Sequence, residues 1–298
     1  SFLDPENTFT VSKFQTGCGI VDIMMHTLER YFNPGHPSNR MTDEIAEGLL
    51  RTVIDAGRVA MQDSHNYDAM SEIMWAGSLS HNNLTGLGGV KDFSVHQFGH
   101  ELSGMFDAAH GATLSVMWPQ WARYVVDTDP ARFAHYGEAV WRLTRKDGES
   151  DRDLALRAID TTEEFFRSID MPTTFTELGI GVLSEEQLRE LAERCTFFHT
   201  RVVGKFCRSS FFCSASTALS ALRRASSSSF CARRRSSSSN FCARLRSSSS
   251  NFWRRFSSAA SSLARCFSAS AAAFSCARRS SSRCFCSAAA SACSVSTS

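Results

Sequence analysis

The distribution of charge along this 298-residue chain is the feature that most restricts how it can fold. Residues 1–200 hold all 30 acidic residues and 16 Lys and Arg, for a net charge of −14, whereas residues 201–298 hold 16 Lys and Arg and no acid, for +16. The second part also carries nine of the 11 cysteines and repeated serine tracts. Such low-complexity composition cannot readily bury a core. The sequence therefore predicts a folded domain over residues 1–205 and a Ser/Arg/Cys-rich tail over residues 206–298 that is disordered or translated out of frame.

Within residues 1–205, the apolar residues recur at the spacing of helices. Thr42 and Asn66 stand where helix N-caps are expected, and Ser184 with Gln187 forms a capping box. The segment 151–169 repeats apolar residues every three or four positions. No alternating pattern is long enough to indicate a strand, so the sequence predicts an all-α fold for this region.

The hydropathy pattern and the cysteines restrict what the chain can contain. No run of 18 apolar residues occurs, which argues against a transmembrane helix. Cys18 and Cys195 lie at small or apolar helix positions, and we interpret both as buried rather than reactive. The cysteines of the tail lack the spacing of a zinc ribbon. The acidic composition of residues 1–200, together with the family resemblance described below, suggests a cytoplasmic location, where we expect the cysteines to be reduced.

The residue pattern most typical of a catalytic site is a set of histidines with one aspartate. Asp22 and His26 lie four residues apart, which puts them on one helix face, and His96 and His100 repeat that spacing before His110. One carboxylate and three imidazoles suit a divalent first-row metal. Because the imidazoles must be neutral to bind it, we expect metal affinity to fall below about pH 6. An exposed helix face would explain the same spacing. The histidines without an evident partner are His36, His65, His81, His135 and His199.

Two longer segments carry a resemblance to a known family. Residues Thr16–Glu29, which contain Asp22 and His26, and residues Val95–Ser103, which contain His96 and His100, resemble the iron-containing (group III) alcohol dehydrogenases. Shorter supporting stretches are Asn66–Asp68, Met74–Leu79, Ala109–Ala112, Trp118–Pro119 and Glu177–Ile180. The similarity runs from about residue 1 to about residue 205 and is greatest to the NAD(P)H-dependent butanol dehydrogenase branch.

The resemblance implies a role for each residue of the set. The metal ligands of the family match Asp22, His26, His96 and His110. The second histidine of the family's H-x-x-G-H motif matches His100. In the family this second histidine lies near the nicotinamide and the reacting carbon, so the resemblance implies a catalytic and cofactor-binding role for His100 rather than metal binding. The implied metal is Fe²⁺ or Zn²⁺.

The resemblance also implies a fold and a reaction. It implies the helical domain of the dehydroquinate-synthase-like fold and the interconversion of a small primary alcohol and its aldehyde with NAD or NADP. The nucleotide-binding α/β domain of the family precedes the matched segment, so we interpret this chain as a fragment that lacks most of the cofactor domain. The loop 86–89 is a weak phosphate-binding candidate that we interpret as a plain loop. We expect no membrane partner, and a homodimer is left open.

Two other functions and two residue roles stay open from the sequence. The basic tail is compatible with an RNA- or partner-binding protein, for which nucleic acid would bind through the tail alone. A glycerol dehydrogenase or another metal-dependent member of the same fold is the second alternative. Trp75 and Phe106 would either line an alkyl pocket or pack in the core, and their apolar helical surroundings favour the core.

Overall fold

The computed structural model describes residues 2–32, 39–198 and 203–204. All regular secondary structure in these residues is helical, which confirms the all-α prediction. The predicted tail over residues 206–298 lies outside them. The α-helices of the described part are α1 (Lys13–Tyr31), α2 (Arg40–Gln62), α3 (Tyr67–His81), α4 (Ser94–Phe106), α5 (His110–Val125), α6 (Pro130–Ala139), α7 (Asp151–Ser168) and α8 (Glu185–Cys195). Short 3₁₀ helices span Pro5–Thr8, Leu84–Gly86 and Val126–Thr128.

Side-chain caps fix the start of several helices. The Asn66 side chain accepts a hydrogen bond from the backbone N–H of Ala69 at the start of α3, as predicted. Ser184 and Gln187 form both hydrogen bonds of the predicted capping box at the start of α8. Each of these bonds satisfies a backbone donor that a helix N-terminus would otherwise leave unpaired.

The start of α2 differs from its prediction. The helix begins at Arg40 with Asn39 as its N-cap, and not after Thr42. The Asn39 side chain makes no capping hydrogen bond and instead donates to the carbonyl oxygen of Leu87. A long-range contact therefore replaces the local signal by which a helix start is recognised from sequence.

Helix α1 is the centre of the domain. It packs against α2, α3, α4 and α5, while α7 joins α6 to α5. Ile20, Met24 and Leu28 consequently have no exposed surface. The largest buried side chains of α5 are Trp118 and Trp121, which lie in the same continuous core. Burial of apolar surface on every side of α1 is the main force that holds its polar residues in place.

A polar cluster lies at the C-terminal end of α1. Arg132 donates to both carboxylate oxygens of Asp43, at 2.7 and 2.8 Å, and its guanidinium lies 3.6 Å from the centre of the Tyr31 ring. The Tyr31 hydroxyl donates to Glu47 at 2.8 Å, and Nε2 of His135 lies 3.0 Å from the same carboxylate oxygen. We call these five residues the Arg132 cluster. In it, a cation that belongs to the protein balances the buried acids.

The packing of four other side chains bears on the sequence predictions. Cys18 and Cys195 are buried, as expected. Phe106 is half-buried and packs against the core. The expectation of core packing is wrong for Trp75, which is 52% exposed. Helix α3 buries the face that carries Ala69, Ile73 and Ala76, and Trp75 lies off that face. No helix in the part of the chain that the structure covers is both long and apolar enough to cross a membrane.

Two glycines allow the helices around α1 to approach closely. A Cβ atom at Gly111 would lie 2.3 Å from the carbonyl oxygen of Cys18, so the start of α5 touches the backbone of α1. A Cβ atom at Gly99 would lie 2.9 Å from the Leu114 side chain, so α4 and α5 are also in close contact. Both glycines are next to histidine-bearing turns, and their packing positions those turns.

Candidate metal centre

Side chains from four helices meet beside the middle of α1. Asp22 and His26 lie one turn apart on α1, which points both toward α4 and α5. His96 comes from the first turn of α4, and His110 is the first residue of α5. His81 is the last residue of α3. Each of the four predicted metal ligands is therefore held by a helix that packs on α1 or by α1 itself.

The four predicted ligands surround one carboxylate oxygen. Oδ1 of Asp22 lies 3.4 Å from Nε2 of His96, 3.6 Å from Nε2 of His110 and 3.7 Å from Nε2 of His26. The ligand atoms of Asp22, His96 and His110 all lie within 4.8 Å of one another. One face of the carboxylate is thus enclosed by three imidazole nitrogens.

The hydrogen bonding at this point indicates what the set can hold. Oδ1 of Asp22 and Nε2 of His96 are both buried, yet neither has a hydrogen-bond partner among the residues that the structure describes. A buried polar atom without a partner is costly, and most such atoms in proteins are satisfied. Three imidazole nitrogens at 3.4–3.7 Å from one carboxylate oxygen form a donor set that fits a divalent first-row cation.

Glu29 orients His96, and the sequence analysis did not single it out. Its fully buried carboxylate accepts from the backbone N–H groups of Val95 and His96 and contacts Nδ1 of the His96 ring. A carboxylate on Nδ1 places the hydrogen there, so Nε2 is the atom left to bind a cation. Glu29 is seven residues after Asp22 and three after His26, a spacing that keeps all three on one helix face.

The electrostatics of the set differ from residue to residue. Burial opposes ionisation of Asp22, but His96 and the other imidazoles outweigh it and lower the pKa of Asp22 to about 2. Burial and the neighbouring His96 lower the pKa of His26 to about 3. Burial also disfavours the charged form of His96, yet Asp22 and Glu29 together raise its pKa to about 9. Burial lowers the pKa of His110. Of the imidazoles in the set, His96 is therefore the one that most readily carries a second ring proton when no metal is bound.

His100 lies at the solvent side of the set. Its exposed ring stacks on the His110 ring, with 4.8 Å between centroids and 22° between planes. The ring of His96 is farther away, at 6.1 Å. Among the described residues, His100 is in neither of the two groups whose ligand atoms converge. It borders the centre, and its sequence-based role toward the nicotinamide stays a prediction.

His81 is the other residue that the sequence analysis missed. Its ring centroid lies 3.9 Å from that of His26, and its Nε2 lies 3.3 Å from Oδ2 of Asp22. His135 also has a carboxylate partner, Glu47. The interpretation that these two histidines lack partners is therefore wrong. His36 and His199 lie outside the described residues.

The Gly-rich loop after α3 does not have the form of a phosphate cradle. It follows a helix and contains the 3₁₀ helix Leu84–Gly86, whereas a nucleotide-binding turn connects a strand to a helix. Gly88 adopts a positive φ of +77° where a side chain would meet Asn39. These observations agree with the interpretation of residues 86–89 as a plain loop.

Comparison with known proteins identifies relatives of this domain. Residues 16–203 match the model described as "Fe-containing alcohol dehydrogenase family, C-terminal". The NADH-dependent butanol dehydrogenase A of Clostridium acetobutylicum is 40% identical over 195 residues, which are 65% of this chain and 49% of that protein. The chain spans about half the length of the curated relatives it matches.

Solved structures show the same fold. The aldehyde reductase YqhD from E. coli, free of substrate and cofactor, matches with a TM-score of 0.67 and 29% identity over 75% of this chain and 56% of that one. The NADH-dependent butanol dehydrogenase A from Thermotoga maritima matches with a TM-score of 0.66 and 25% identity over 75% of this chain and 55% of that one. Motifs, fold and family match agree, and this chain belongs to the Fe-containing alcohol dehydrogenase family through the C-terminal domain that residues 16–203 form.

Proposed function

We propose that this domain is the metal-binding part of an NAD(P)-linked dehydrogenase that interconverts a small primary alcohol and its aldehyde. The observation that supports the proposal is the enclosure of Oδ1 of Asp22 by Nε2 of His26, His96 and His110, at 3.4–3.7 Å. Neither this oxygen nor Nε2 of His96 is satisfied by hydrogen bonds within the part of the chain that the structure covers. Such a donor set is suited to a catalytic divalent ion.

The four residues that would hold the ion are Asp22, His26, His96 and His110, with Fe²⁺ or Zn²⁺ as the ion. When bound, a divalent cation supplies a Lewis acid that polarises the oxygen of an alcohol or aldehyde. Asp22 carries the one full negative charge of the set because its pKa is about 2. Glu29 holds the His96 ring in the tautomer that leaves Nε2 available.

His100 is positioned to act on the substrate rather than on the ion. Its ring is exposed and stacked against the His110 ring, so a ring nitrogen can donate a hydrogen bond to a substrate oxygen next to the centre. In the oxidation direction the same nitrogen can accept the hydroxyl proton. Hydride transfer itself is chemistry of the nicotinamide, for which the protein provides orientation and charge.

The names of the relatives support the choice of substrate and cofactor class. They include NADH-dependent butanol dehydrogenases and an NADPH-dependent aldehyde reductase. The RNA-binding alternative depended on residues 206–298, which lie outside the described residues, whereas the matched relatives are oxidoreductases by name. The four-carbon alcohol is therefore the first substrate to test.

A domain replacement tests the proposal. Residues 16–203 would replace the matching segment of the C. acetobutylicum butanol dehydrogenase A, and butanol oxidation and butyraldehyde reduction would be assayed with both nicotinamides. We expect turnover that EDTA removes and Fe²⁺ or Zn²⁺ restores, and no turnover from the matched Asp22→Asn chimera. A folded chimera that binds the ion and converts neither substrate would contradict the proposal.

The 298-residue chain alone provides the complementary measurement. We expect it to bind one divalent ion but to turn over butanol weakly, because the covered residues form helices and no strand–turn–helix that would cradle a pyrophosphate. Robust turnover by this chain would show that the nicotinamide binds to the helical domain.

A further inference from the structure

A second group of metal-binding side chains adjoins the proposed centre. Ligand atoms of Asp22, His26 and His81 lie within 4.8 Å of one another, as do those of Asp22, His96 and His110. The two groups share the Asp22 carboxylate, of which His26 also lies near Oδ1, at 3.7 Å. Oδ1 of Asp22 faces His96 and His110, while Oδ2 faces Nε2 of His81 at 3.3 Å. We call Asp22, His26 and His81 the outer position, and the proposed centre of Asp22, His26, His96 and His110 the inner position.

Contacts at Nδ1 of His81 hold its ring so that Nε2 faces Asp22, as is usual for a histidine that binds a metal. Its Nδ1 lies 2.8 Å from the carbonyl oxygen of Gly77 and 2.9 Å from Oγ of Ser80. A carbonyl oxygen only accepts, so the hydrogen of the ring lies on Nδ1 and the lone pair of Nε2 points to Asp22. Ligating histidines usually donate their other N–H to a carbonyl or carboxylate, as His96 does to Glu29.

The two positions differ in their access to solvent. The His81 side chain is 44% exposed, whereas of the two ligands that only the inner position has, His110 is 34% and His96 only 4% exposed. Asp22 and His26, the residues that link the two positions, are intermediate at 26% and 21%. The rings of His81, His26 and His96 follow one another with centroids 3.9 and 4.3 Å apart. A path of ligands therefore leads from the surface to the buried centre.

We propose that Asp22, His26 and His81 form a loading position, at which a divalent first-row cation binds before it moves to the inner position. An ion that makes this move keeps Asp22 and His26 and exchanges His81 for His96 and His110. It therefore keeps two protein ligands throughout the move, so that no step requires the ion to leave the protein. The inference depends on the proposed metal centre for its destination, because both positions share two residues.

The uptake rate of Zn²⁺ by the metal-free 298-residue chain tests the proposal. Stopped-flow transfer from a chromophoric chelator gives the rate, and equilibrium competition with the same chelator gives the affinity. Loss of even a residue that supports a metal ligand changes metal affinity about 10- to 100-fold, so loss of one ligand from the outer position should slow uptake about tenfold. We expect His81→Ala to show this slowing while its equilibrium affinity stays near the wild-type value.

His135→Ala is the matched control, since His135 also faces a carboxylate and is similarly exposed but lies in the Arg132 cluster. It should leave both rate and affinity unchanged. An unchanged uptake rate in His81→Ala would overturn the loading position. So would a fall in affinity as large as that of His26→Ala, because His81 would then be a ligand of the final centre.

A second pair of variants tests the outer position at equilibrium. His110→Ala weakens the inner position at a half-buried residue, and the remaining Zn²⁺ affinity should then depend on His81. We expect His81→Ala in this background to lower that affinity about tenfold further. No additional loss would overturn the outer position and leave the proposed function intact. A wild-type chain that binds no Zn²⁺, Fe²⁺ or Co²⁺ would instead overturn the proposed centre as well.

Discussion

Two polar clusters lie along α1, and they solve the problem of buried charge in different ways. In the Arg132 cluster, the guanidinium of Arg132 holds both oxygens of Asp43, and Tyr31 donates to Glu47. Around Asp22, the partners within ion-pairing distance among the described residues are histidines. Imidazole bears a lone pair when neutral, so this cluster offers electron pairs where the other offers a cation.

The difference matches the proposal that the cluster around Asp22 binds an ion from solution, whereas the Arg132 cluster is structural. Arg132 has a fixed charge at any ordinary pH, and its cluster is complete as the chain folds. The cluster around Asp22 gathers one negative charge and several donors, and a divalent ion from solution would balance them. The two clusters use similar acids and histidines. They differ in the group that faces the acid, which is a guanidinium that keeps its proton in one cluster and imidazoles that can give theirs up to bind an ion in the other.

The largest effect on metal affinity is expected when the Asp22 carboxylate, which the three imidazoles surround, is removed. Loss of a partner behind a ligand lowers metal affinity about 10- to 100-fold, so loss of the primary carboxylate in Asp22→Asn should lower it more than about 100-fold. Isothermal titration with Zn²⁺ would measure this. The matched control is Asp43→Asn, which should leave affinity unchanged. Equal losses in the two variants would remove the distinction between the clusters.

Loss of Arg132 from its cluster should lower the free energy of unfolding and leave the Zn²⁺ affinity unchanged. Arg132→Met keeps much of the apolar stem but leaves Asp43 and Glu47 without their cation. Removal of one partner from a buried pair costs about 3–5 kcal/mol, and the partial exposure of Arg132 and Asp43, 13% and 17%, reduces the expected loss to about 2 kcal/mol. Urea unfolding of the metal-free protein measures it. A changed Zn²⁺ affinity would mean that the clusters are coupled through α1.

Glu29 lies on the face of α1 that carries Asp22 and His26, and its carboxylate accepts hydrogen bonds from the backbone at the start of α4. Glu29→Gln keeps the size of the side chain and an oxygen for the backbone N–H groups, but it removes the carboxylate from Nδ1 of His96. We expect Zn²⁺ affinity to fall about tenfold, since a neutral amide orients and polarises the ring less well. Glu29→Asp retains the charge on a shorter side chain. Comparison of the two variants therefore separates the effect of the charge on Zn²⁺ affinity from the effect of side-chain length. Wild-type affinity in Glu29→Gln would assign the residue to helix capping alone.

The smallest expected effect is the pH dependence of metal binding. Burial opposes the protonation of His96, but Asp22 and Glu29 raise its pKa to about 9, while the pKa of His26 falls to about 3. At neutral pH a bound ion should therefore displace one proton, from His96, and affinity should rise with pH until about 9. Titration in buffers of different ionisation enthalpy counts that proton. Release of three protons would support the steeper dependence expected from the sequence.

Local spacing made part of the site predictable. The four-residue interval between Asp22 and His26 places both on one face of a helix, whatever the rest of the chain does. The same holds for Ser184 and Gln187, whose capping box involves residues three apart. The approach of His96 and His110 to Asp22 has no local signature, and it entered the sequence analysis through the family resemblance.

Contacts between distant parts of the chain explain what was missed. His81 ends α3 and reaches Asp22 across 59 residues, so no spacing rule connects them. Asn39 bonds to Leu87 rather than to its own helix, which hid the start of α2. Glu29 is the exception, because its seven-residue interval from Asp22 was visible. Trp75 was misjudged because its neighbours are apolar although its own face of α3 is open.

The packing of Gly111 has a consequence for the size of the ion that the proposed metal centre would accept. It follows His110 and touches the backbone of Cys18, where a Cβ atom would lie 2.3 Å from the carbonyl oxygen. Any larger residue would part α5 from α1 and lengthen the span between Asp22 and His110. Zn²⁺ takes bonds of about 2.0–2.2 Å and Ca²⁺ about 2.3–2.6 Å, so a separation of a few tenths of an ångström changes the ionic radius that fits. Gly111 would bind no ion itself, but the close approach of α5 to α1 that it allows would set the ionic radius that fits between Asp22 and His110.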